Sequence, residues 1–392
     1  MRGARALFLG APVEKAQLII AGQGTILFDA SEACTLRFTD VSGTSGIAVE
    51  FSPGSVQAHL IPSLEPLIDQ NNTKGLSTEQ GAYYWVSLDA QNQRIQAGVG
   101  EARKETAIYS YQLKDKKSFL ESLTTVKPRA LQIRTLLRDP ITVSVPLAVK
   151  HTDELTMDAI AAGTHMPYAN LSLTSQKLYK CISGKKFTLA TPDFPDFVKA
   201  IEYSIATPGR WCYERLKEKA NEFGKPNPEE TYLRITLGEN NGESPGVPYV
   251  MEIWPPAHYS PVHNHGGSSA LIRVLNGAIN VSLFPFLGAS EAFGTAVFKK
   301  EDVTWISPAL NQVHQLKNIG TETCITVQCY MYETSDTKHY DYFDYMDTDN
   351  TVQKFEPDSD MDFLSFKALM KTEWAEKVAA AKVSRWFRFH PF

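Results

Sequence analysis

Short apolar runs separated by turn residues fill the chain up to about residue 170. Such runs lie at residues 17–21, 24–28, 36–39 and 46–51, and Gly, Asp and Ser fall between them. Short runs bounded by turn-forming residues are typical of consecutive β-strands rather than of helices. The pattern therefore predicts a β-sandwich or jelly-roll-like domain in the N-terminal part of the chain.

The pattern changes near residue 190. A proline-containing stretch favours a helix start there, and an amphipathic, aromatic-rich segment follows from Phe194 to about Glu222. Strand-like patterns return after this segment. We therefore predict a mainly β protein in three parts, which are a β-sandwich-like domain at 1–172, a linker and helical lead-in at 173–225, and a second β domain at 226–392.

The composition argues against several classes of protein. The chain has 392 residues, enough for two domains with separate cores, and a net charge of −5 at pH 7. With a pI near 6.0, we expect neither nucleic acid nor a membrane surface as a partner. Five scattered cysteines argue against a disulfide framework and for a reducing compartment. The apolar run near the N-terminus is too short for a signal peptide or a membrane span, so we expect a cytoplasmic protein.

Three histidines form the strongest candidate for a chemical site. His263 and His265 are two residues apart, so a strand would place both imidazoles on one face. His314 can supply a third nitrogen from a neighbouring strand. Three neutral imidazoles on a rigid β scaffold make an open site for a divalent transition metal. The sequence therefore predicts these three side chains as metal ligands.

The histidine spacing resembles the metal-binding motifs of the cupin fold, a double-stranded β-helix barrel. Gly277 follows the HxH pair as a glycine does in cupins, and His314 with Asn318 matches the second cupin motif. Cupins usually carry a Glu shortly after the HxH pair, and residues 268–270 (Ser-Ser-Ala) stand there instead. A three-histidine site without a carboxylate is similar to that of the thiol dioxygenases, and specifically to that of cysteine dioxygenase.

A second segment carries the same resemblance, which covers roughly residues 190 to 392. Tyr232 and Arg234 match the YxR segment of cysteine dioxygenase, and Trp254 and Ser260 follow in the order and spacing of that family. The resemblance implies that Arg234 binds the substrate carboxylate, a role that suits the planar guanidinium better than a Lys amine. It also implies that Tyr232, Ser260 and Trp254 belong to the substrate site. The implied cofactor is Fe(II), and the implied substrates are a small thiol and O2.

The resemblance further implies an active-site tyrosine, for which Tyr330 and Tyr332 both fit. On a strand, these two residues and Gln328 would share one face. We prefer Tyr332, because Tyr330 would then take the place of the family's hydrogen-bonding His. Ala270 stands where the animal enzymes carry a Cys that is crosslinked to this tyrosine. The crosslink therefore cannot form here, as in bacterial relatives that remain active without it.

Three functions are compatible with these residues. The resemblance favours a non-haem Fe(II) dioxygenase that converts L-cysteine to cysteine sulfinic acid with both atoms of O2, since Arg234 suits the carboxylate of an α-amino acid. A second hypothesis is a dioxygenase for another small thiol, such as 3-mercaptopropionate or an aminothiol. A third is a non-catalytic metal-binding cupin. For the N-terminal domain, the hypotheses are binding of a ligand or partner and self-association.

Overall fold

The computed structural model describes residues 6–8, 14–70, 72, 74–142, 144–237, 248–333 and 342–389. Packing of the Cα atoms divides the chain into two compact units. The first unit comprises Met1–Val145 and Phe284–Gly294, and the second comprises Pro146–Leu283 and Thr295–Phe392. Both units are built on antiparallel sheets, so the predicted mainly β fold is confirmed.

Two six-stranded sheets form the first unit. Its elements are β1 (Ala6–Phe8), β2 (Ala16–Gln17), β3 (Gln23–Asp29), β4 (Cys34–Thr39), β5 (Gly46–Ser52), β6 (Ser55–Ile61), β7 (Pro66–Leu67), β8 (Tyr84–Asp89), β9 (Arg94–Val99), β10 (Ala107–Gln112), the short helix α1 (Lys117–Glu121), β11 (Thr125–Arg129) and β12 (Gln132–Leu137). The strand order is β1-β12-β3-β8-β9-β10 in one sheet and β2-β11-β4-β5-β6-β7 in the other. All of these neighbours pair antiparallel.

The core of the first unit is built from both sheets. Phe28 of β3 packs edge-to-face on Phe51 of β5, with ring centroids 5.2 Å apart, and Tyr84 of β8 contacts both rings. All three side chains are buried. Because β3 and β8 belong to one sheet and β5 to the other, these contacts join the two sheets face to face. The predicted β-sandwich arrangement is therefore present.

A segment from much later in the chain belongs to the first unit. The N–H of Glu101 donates to the carbonyl of Pro285 at 2.8 Å, and the N–H of Ser290 donates to the carboxylate of Glu79 at 2.9 Å. Gly100 has a φ of +77° and lies against Pro285, where a side chain would collide with the backbone. The sequence pattern, which is local, predicted a continuous N-terminal domain and did not anticipate this long-range addition.

The second unit holds the remaining elements. They are β13 (Ala148–Lys150), α2 (Met157–Ala162), β14 (Met166–Pro167), α3 (Leu173–Ile182), α4 (Phe197–Ala206), α5 (Trp211–Glu218), β15 (Leu233–Leu237), β16 (Tyr249–Trp254), β17 (Ser269–Asn276), β18 (Ala278–Leu283), β19 (Gly294–Lys299), β20 (Val303–Ile306), β21 (His314–Lys317), β22 (Cys324–Met331), β23 (Phe343–Met346), β24 (Val352–Phe355), β25 (Met361–Asp362) and α6 (Phe363–Phe389). Short 3-10 turns lie between several of them.

Two facing sheets give the second unit its barrel. The larger sheet has the order β14-β13-β20-β17-β22-β16-β15-β25, and the smaller has the order β19-β18-β21. Trp254 of β16 and Leu316 of β21 line one cavity, so the inner faces of the two sheets look toward each other. The hairpin of β23 and β24 adds Tyr345 to the same wall. This is the double-stranded arrangement that the histidine motifs predicted for this half of the chain.

The division between the units falls earlier than the sequence predicted. The predicted boundary follows residue 172, whereas the chain divides after Val145. The cause is β13, in which Val149 pairs with Val303 of β20 and with Met166 of β14. A strand of three residues is too short to show an alternating pattern, so the sequence offered no sign that this stretch joins the second sheet.

Helices flank the larger sheet. The helix α3 packs against β17 and β22, and its C-terminal end is fixed by Arg273, whose guanidinium donates to the carbonyl oxygens of Ile182 and Gly184. The helices α4 and α5 form the predicted helical lead-in and pack with α6 or with each other. Within the described part of the chain, no helix combines the length and apolar character needed to cross a bilayer.

Replacing Gly98 by Ala is expected to destabilise the first unit. A methyl group at Gly98 of β9 would overlap the indole of Trp85, which is fully buried and donates a hydrogen bond to Thr106 at 3.2 Å. Overpacking of this kind costs about 1–3 kcal/mol, which denaturant unfolding would measure. Gly54→Ala is the matched control, since a methyl there meets no atom within 4 Å. Equal stability of the two variants would contradict this packing.

Candidate metal centre

The three predicted metal-binding histidines meet at one point between the two sheets. His263 and His265 lie in the segment between β16 and β17, and His314 is the first residue of β21. The backbones of His263 and His314 exchange two hydrogen bonds, each 3.0 Å long. His263 therefore pairs with His314 through an isolated antiparallel bridge, and the HxH pair lies outside the regular strand that the spacing suggested. The bridge performs the same task and brings the side chains together.

The ring nitrogens of the three histidines point at one another. One nitrogen from each ring lies within 4.8 Å of the other two, and Nε2 of His265 lies 3.2 Å from Nε2 of His314. His265 and His314 are almost completely buried. The structure therefore assembles the predicted donor set from residues that are about 50 positions apart in the sequence.

Backbone carbonyls fix the protonation of two of these rings. Nδ1 of His263 lies 3.0 Å from the carbonyl of Pro261, and Nδ1 of His314 lies 3.1 Å from that of Asn311. A carbonyl oxygen only accepts, so each Nδ1 must carry the proton and donate it. The Nε2 atoms are thereby left with free lone pairs directed at the common point, as in metal-ligating histidines whose other nitrogen is held by a carbonyl.

The geometry and the charge state both fit a divalent transition metal. The separation of 3.2 Å between Nε2 of His265 and Nε2 of His314 is short enough for one ion to bind both nitrogens. Burial lowers the pKa of His263 to about 4 and that of His314 to about 3, and it holds the pKa of His265 well below its usual range. All three rings are therefore neutral near pH 7, the form that binds a metal.

His265 has one nitrogen that the rest of the site does not explain. Its Nδ1 is buried and has no hydrogen-bond partner among the described residues. The ring is held by packing instead, between Phe343, with a centroid distance of 4.6 Å, and Tyr330, with a centroid distance of 5.5 Å. A buried polar atom without a partner lowers the stability of the folded state. A ligand bound at Nε2 of His265 would therefore stabilise this ring.

A cavity of about 20 Å³ adjoins two of the three histidines. It is lined by Phe223, Tyr232, Arg234, Glu252, Trp254, Ser260, Pro261, His263, His265, Leu316, Gln328, Tyr330, Phe343, Tyr345 and Phe355. A volume of this size holds about one water molecule. All four predicted substrate-binding residues are among these side chains, while His314 reaches the site through its contact with His265.

Only one of the two candidate tyrosines reaches the cavity. Tyr330 lines it and donates its hydroxyl hydrogen to Oε1 of Gln328. The strand β22 ends at Met331, and Tyr332 beyond it does not belong to the lining. Tyr330 is thus the candidate that lines the cavity, and the preference for Tyr332 as the active-site tyrosine stays a prediction, because the face-sharing rule holds only while the strand continues. The side chain hydrogen-bonded to Tyr330 is Gln328. The sequence had instead predicted Tyr330 itself as the hydrogen-bonding partner, beside Tyr332.

Two of the predicted substrate-binding residues have structural partners of their own. Ser260 is buried, and its hydroxyl oxygen accepts from the N–H of Leu316 at 3.1 Å, which ties the loop before the histidines to β21. Trp254 stacks on Tyr232 with ring centroids 4.2 Å apart and donates to Thr326. Both residues therefore shape the wall of the cavity whatever else they bind.

Sequence reasoning missed a buried carboxylate in the cavity. Glu252 lies directly opposite Arg234 in the pairing of β15 with β16, with Oε1 3.7 Å from Nη1 of the arginine. Its Oε2 accepts from the side-chain amide of Gln328. Burial raises the pKa of Glu252 to about 7, although Arg234 and Lys219 oppose that rise. The signal was available, since Glu252 is two residues from Trp254 on the same strand face.

Comparison with known proteins gives fold matches only. No protein-family model and no curated protein matches the chain. Among solved structures, the cupin domain of Cnp3 from Schizosaccharomyces pombe matches at 19% identity, with a TM-score of 0.22, over 26% of this chain and 66% of that chain. An oxalate oxidase in complex with the substrate analogue glycolate matches at 17% identity, with the same TM-score, over 26% of this chain and 51% of that chain.

A third match has a double-stranded β-helix named in its description. It is an uncharacterised protein from Klebsiella pneumoniae, 20% identical, with a TM-score of 0.22, over 30% of this chain and 90% of that chain. The strand pairing of the second unit, with its two facing sheets and the histidines between them, is that of this architecture. The second unit therefore has a cupin-like double-stranded β-helix fold. Its buried histidines could hold a metal.

Removing one of the three histidines should abolish tight metal binding by the second unit. We expect His314→Ala to lower the affinity for Fe(II) or Co(II) by at least a hundredfold, because two imidazoles remain where three converged. Calorimetry under anaerobic conditions would measure this. His258→Ala is the matched control: His258 is also partly buried but contacts Thr231 instead of the three ligands. Comparable loss in both variants would contradict the assignment of the site.

Acid should destabilise the metal-free protein through these rings. Burial lowers the pKa of His263 from 6.5 to about 4 and that of His314 from 6.5 to about 3. Between about pH 6.5 and pH 4 the unfolded chain therefore binds protons that the folded chain does not, so the free energy of unfolding falls as the pH drops. Thermal unfolding across this window should show a smaller decrease for His314→Leu. Identical pH profiles would refute this coupling.

Proposed function

We propose that the cupin domain is a non-haem Fe(II) thiol dioxygenase that oxidises L-cysteine with O2 to cysteine sulfinic acid. The observation that supports this most strongly is the donor set. Three neutral imidazoles converge without a carboxylate among the described residues of the cluster, and a cavity lined by Arg234 and Tyr330 adjoins them. A metal site of this composition leaves coordination positions open for a substrate.

The three histidines would hold the Fe(II) ion through Nε2. When bound, the ion lowers the pKa of a coordinating thiol and provides adjacent positions for sulfur and O2. The chain contributes rigid ligand placement, because the bridge between His263 and His314 and the carbonyl partners of their Nδ1 atoms leave the rings little freedom. Such preorganisation turns the meeting of two substrates into a positioned step.

Arg234 would bind the substrate carboxylate. Its side chain is largely buried in the cavity wall, and its guanidinium is 3.7 Å from Glu252, too far for a direct hydrogen bond. The guanidinium fork therefore retains donors for a ligand. Its positive charge also contributes to the low pKa of His263 and His265, after burial and, for His265, the neighbouring histidines, which places it close to the metal ligands.

Tyr330 would position the substrate or O2 beside the metal. Its ring stacks on that of His265 at a centroid distance of 5.5 Å, so its hydroxyl lies on the side of the cavity that carries the ligands. Burial raises its pKa far above the usual value, so the hydroxyl keeps its proton and can donate it in a hydrogen bond. Gln328 accepts that hydrogen bond here, which orients the phenol before a ligand enters.

The walls around these groups favour a small substrate. Seven of the lining side chains are Phe, Tyr or Trp, at positions 223, 232, 254, 330, 343, 345 and 355. With about 20 Å³ free, even L-cysteine enters only as lining side chains move outward. A compact thiol therefore fits this site better than a bulky one. The aromatic side chains around the cavity lower the local dielectric constant, which strengthens electrostatic contacts inside it.

Oxygen uptake tests the proposed reaction. The full chain is loaded with Fe(II) without oxygen and is then offered L-cysteine, 3-mercaptopropionate and cysteamine in parallel. We expect uptake with L-cysteine, matched one-to-one by cysteine sulfinate, and none with His314→Ala. Absence of uptake with all three thiols, from protein shown to hold iron, would contradict the dioxygenase function and would favour the non-catalytic metal-binding cupin.

Two conservative variants in the same assay separate the roles of the tyrosines. Tyr330→Phe is expected to lower kcat by about tenfold or more, because a hydrogen bond beside the reacting groups is lost. Tyr332→Phe, the matched control outside the cavity lining, should retain the wild-type rate. A larger effect of Tyr332→Phe than of Tyr330→Phe would reverse the assignment of the tyrosines.

In the same assay, Arg234→Gln is expected to raise KM for L-cysteine by about tenfold or more.

A further inference from the structure

The proposed thiol chemistry does not use the most unusual group in the cavity, the carboxylate of Glu252. The residue is only 4% exposed and lies on the inner face of β16, between β15 and β22. An ionised carboxylate in such a place is unfavourable unless it has partners. A buried ion pair adds little stability over well-packed apolar residues. The position therefore suggests a role in binding.

The internal partners of Glu252 leave part of the carboxylate unused. Its Oε2 accepts from Gln328, and its Oε1 is 3.7 Å from Nη1 of Arg234, beyond hydrogen-bond range. An ionised carboxylate offers about four lone-pair sites. Tyr330 donates a hydrogen bond to Gln328, and Gln328 donates one to Glu252. Glu252 is thus the final acceptor of this network, and its carboxylate can accept a further hydrogen bond from a ligand.

The pair of charges discriminates between ligands. A ligand that carries only a carboxylate would compete with Glu252 for Arg234, and the two carboxylates would repel each other. A ligand with an ammonium group as well supplies a donor to Glu252 while its carboxylate binds Arg234. Both buried charges then keep a partner, which avoids the penalty for an unpaired charge. The cavity thus presents an acceptor and a cation side by side, matching the two charged groups on the α-carbon of an amino acid.

The aromatic wall favours the same kind of ligand. Tyr232, just before β15, and Trp254 of β16 are two residues from Arg234 and Glu252, respectively, and they stack on each other with ring centroids 4.2 Å apart. Lys219 already lies 5.4 Å from the centroid of the Tyr232 ring, so a cation is tolerated against this wall. Aromatic faces attract ammonium groups, and more strongly where water is excluded. The stacked aromatic rings and the existing cation contact therefore suit a cationic group beside Glu252.

We propose that Glu252 binds the amino group of the substrate, so that the site selects aminothiols over thiols that lack an amine. This assignment rests on the proposed thiol-oxidising function, since it concerns the same cavity. Glu252 is then a specificity-determining residue opposite Arg234. The competing role, in which Glu252 only neutralises Arg234, predicts no dependence on the amino group of the ligand.

Binding measurements without oxygen test this proposal independently of turnover. Calorimetry with the Fe(II)-loaded full chain compares L-cysteine, cysteamine and 3-mercaptopropionate, of which only the last lacks an amine. We expect Glu252→Gln to weaken binding of L-cysteine and cysteamine by about tenfold or more, the effect of losing one charge-assisted hydrogen bond. Binding of 3-mercaptopropionate should be unchanged or tighter, since a competing carboxylate is gone.

Two further variants make the comparison decisive. Glu373→Gln is the matched control: Glu373 is 5% exposed, and its carboxylate accepts from the N–H of Trp211 away from the cavity, so all three ligands should bind as they do to the wild type. Glu252→Asp keeps the charge and replaces Glu252→Gln if the latter does not fold. It should weaken the two amine-bearing ligands and spare 3-mercaptopropionate.

The outcomes separate this proposal from the dioxygenase function. An equal loss for all three ligands, no loss for any, or no binding of either aminothiol by the wild type would overturn the role of Glu252. If the expected pattern appears but no oxygen is consumed, amine recognition stands and the dioxygenase function fails. If Glu252→Gln oxidises L-cysteine with wild-type KM and kcat, the dioxygenase function stands and amine recognition fails.

Discussion

The candidate site depends on two backbone hydrogen bonds between His263 and His314. They join the segment after β16 to the start of β21, which are otherwise on different sheets, and they fix the distance between the metal-binding rings. The imidazole rings of the two residues also pack edge-to-face, with centroids 4.7 Å apart. Two backbone carbonyls also hold the proton of each ring on Nδ1. The backbone therefore sets both the position of each ring and the availability of the Nε2 lone pair for a metal.

The register of three strands determines the remainder of the cavity. Arg234 of β15 faces Glu252 of β16 in direct cross-strand pairing, and Gln328 and Tyr330 follow on the inner face of β22. A slip of one residue would turn all of these groups outward. Val250 of β16, Ile272 of β17 and Ile306 of β20 form an apolar cluster with Tyr330. The polar side chains of the cavity thus adjoin an apolar part of the core at Tyr330.

Much of this could be predicted from the sequence, for reasons that the structure makes visible. The three histidines and Arg234 were found because short motifs survive as local patterns, and the sandwich was found because its strands alternate. Glu252 was missed because a single carboxylate in an apolar strand has no motif, and its meaning comes only from the residue opposite. The end of β22 at Met331 could not be predicted, because it depends on tertiary pairing, which spacing along the chain does not reveal.

The assignment of Phe284–Gly294 to the first unit has a consequence for synthesis. The sandwich is discontinuous in the sequence, since its last segment follows residues 146–283 of the second unit. During translation, Glu101 and Glu79 cannot contact their partners Pro285 and Ser290 until residues 146–283 of the second unit have been synthesised. The N-terminal unit therefore cannot complete its packing first, as domains in multidomain chains generally do, and the order of folding is interleaved.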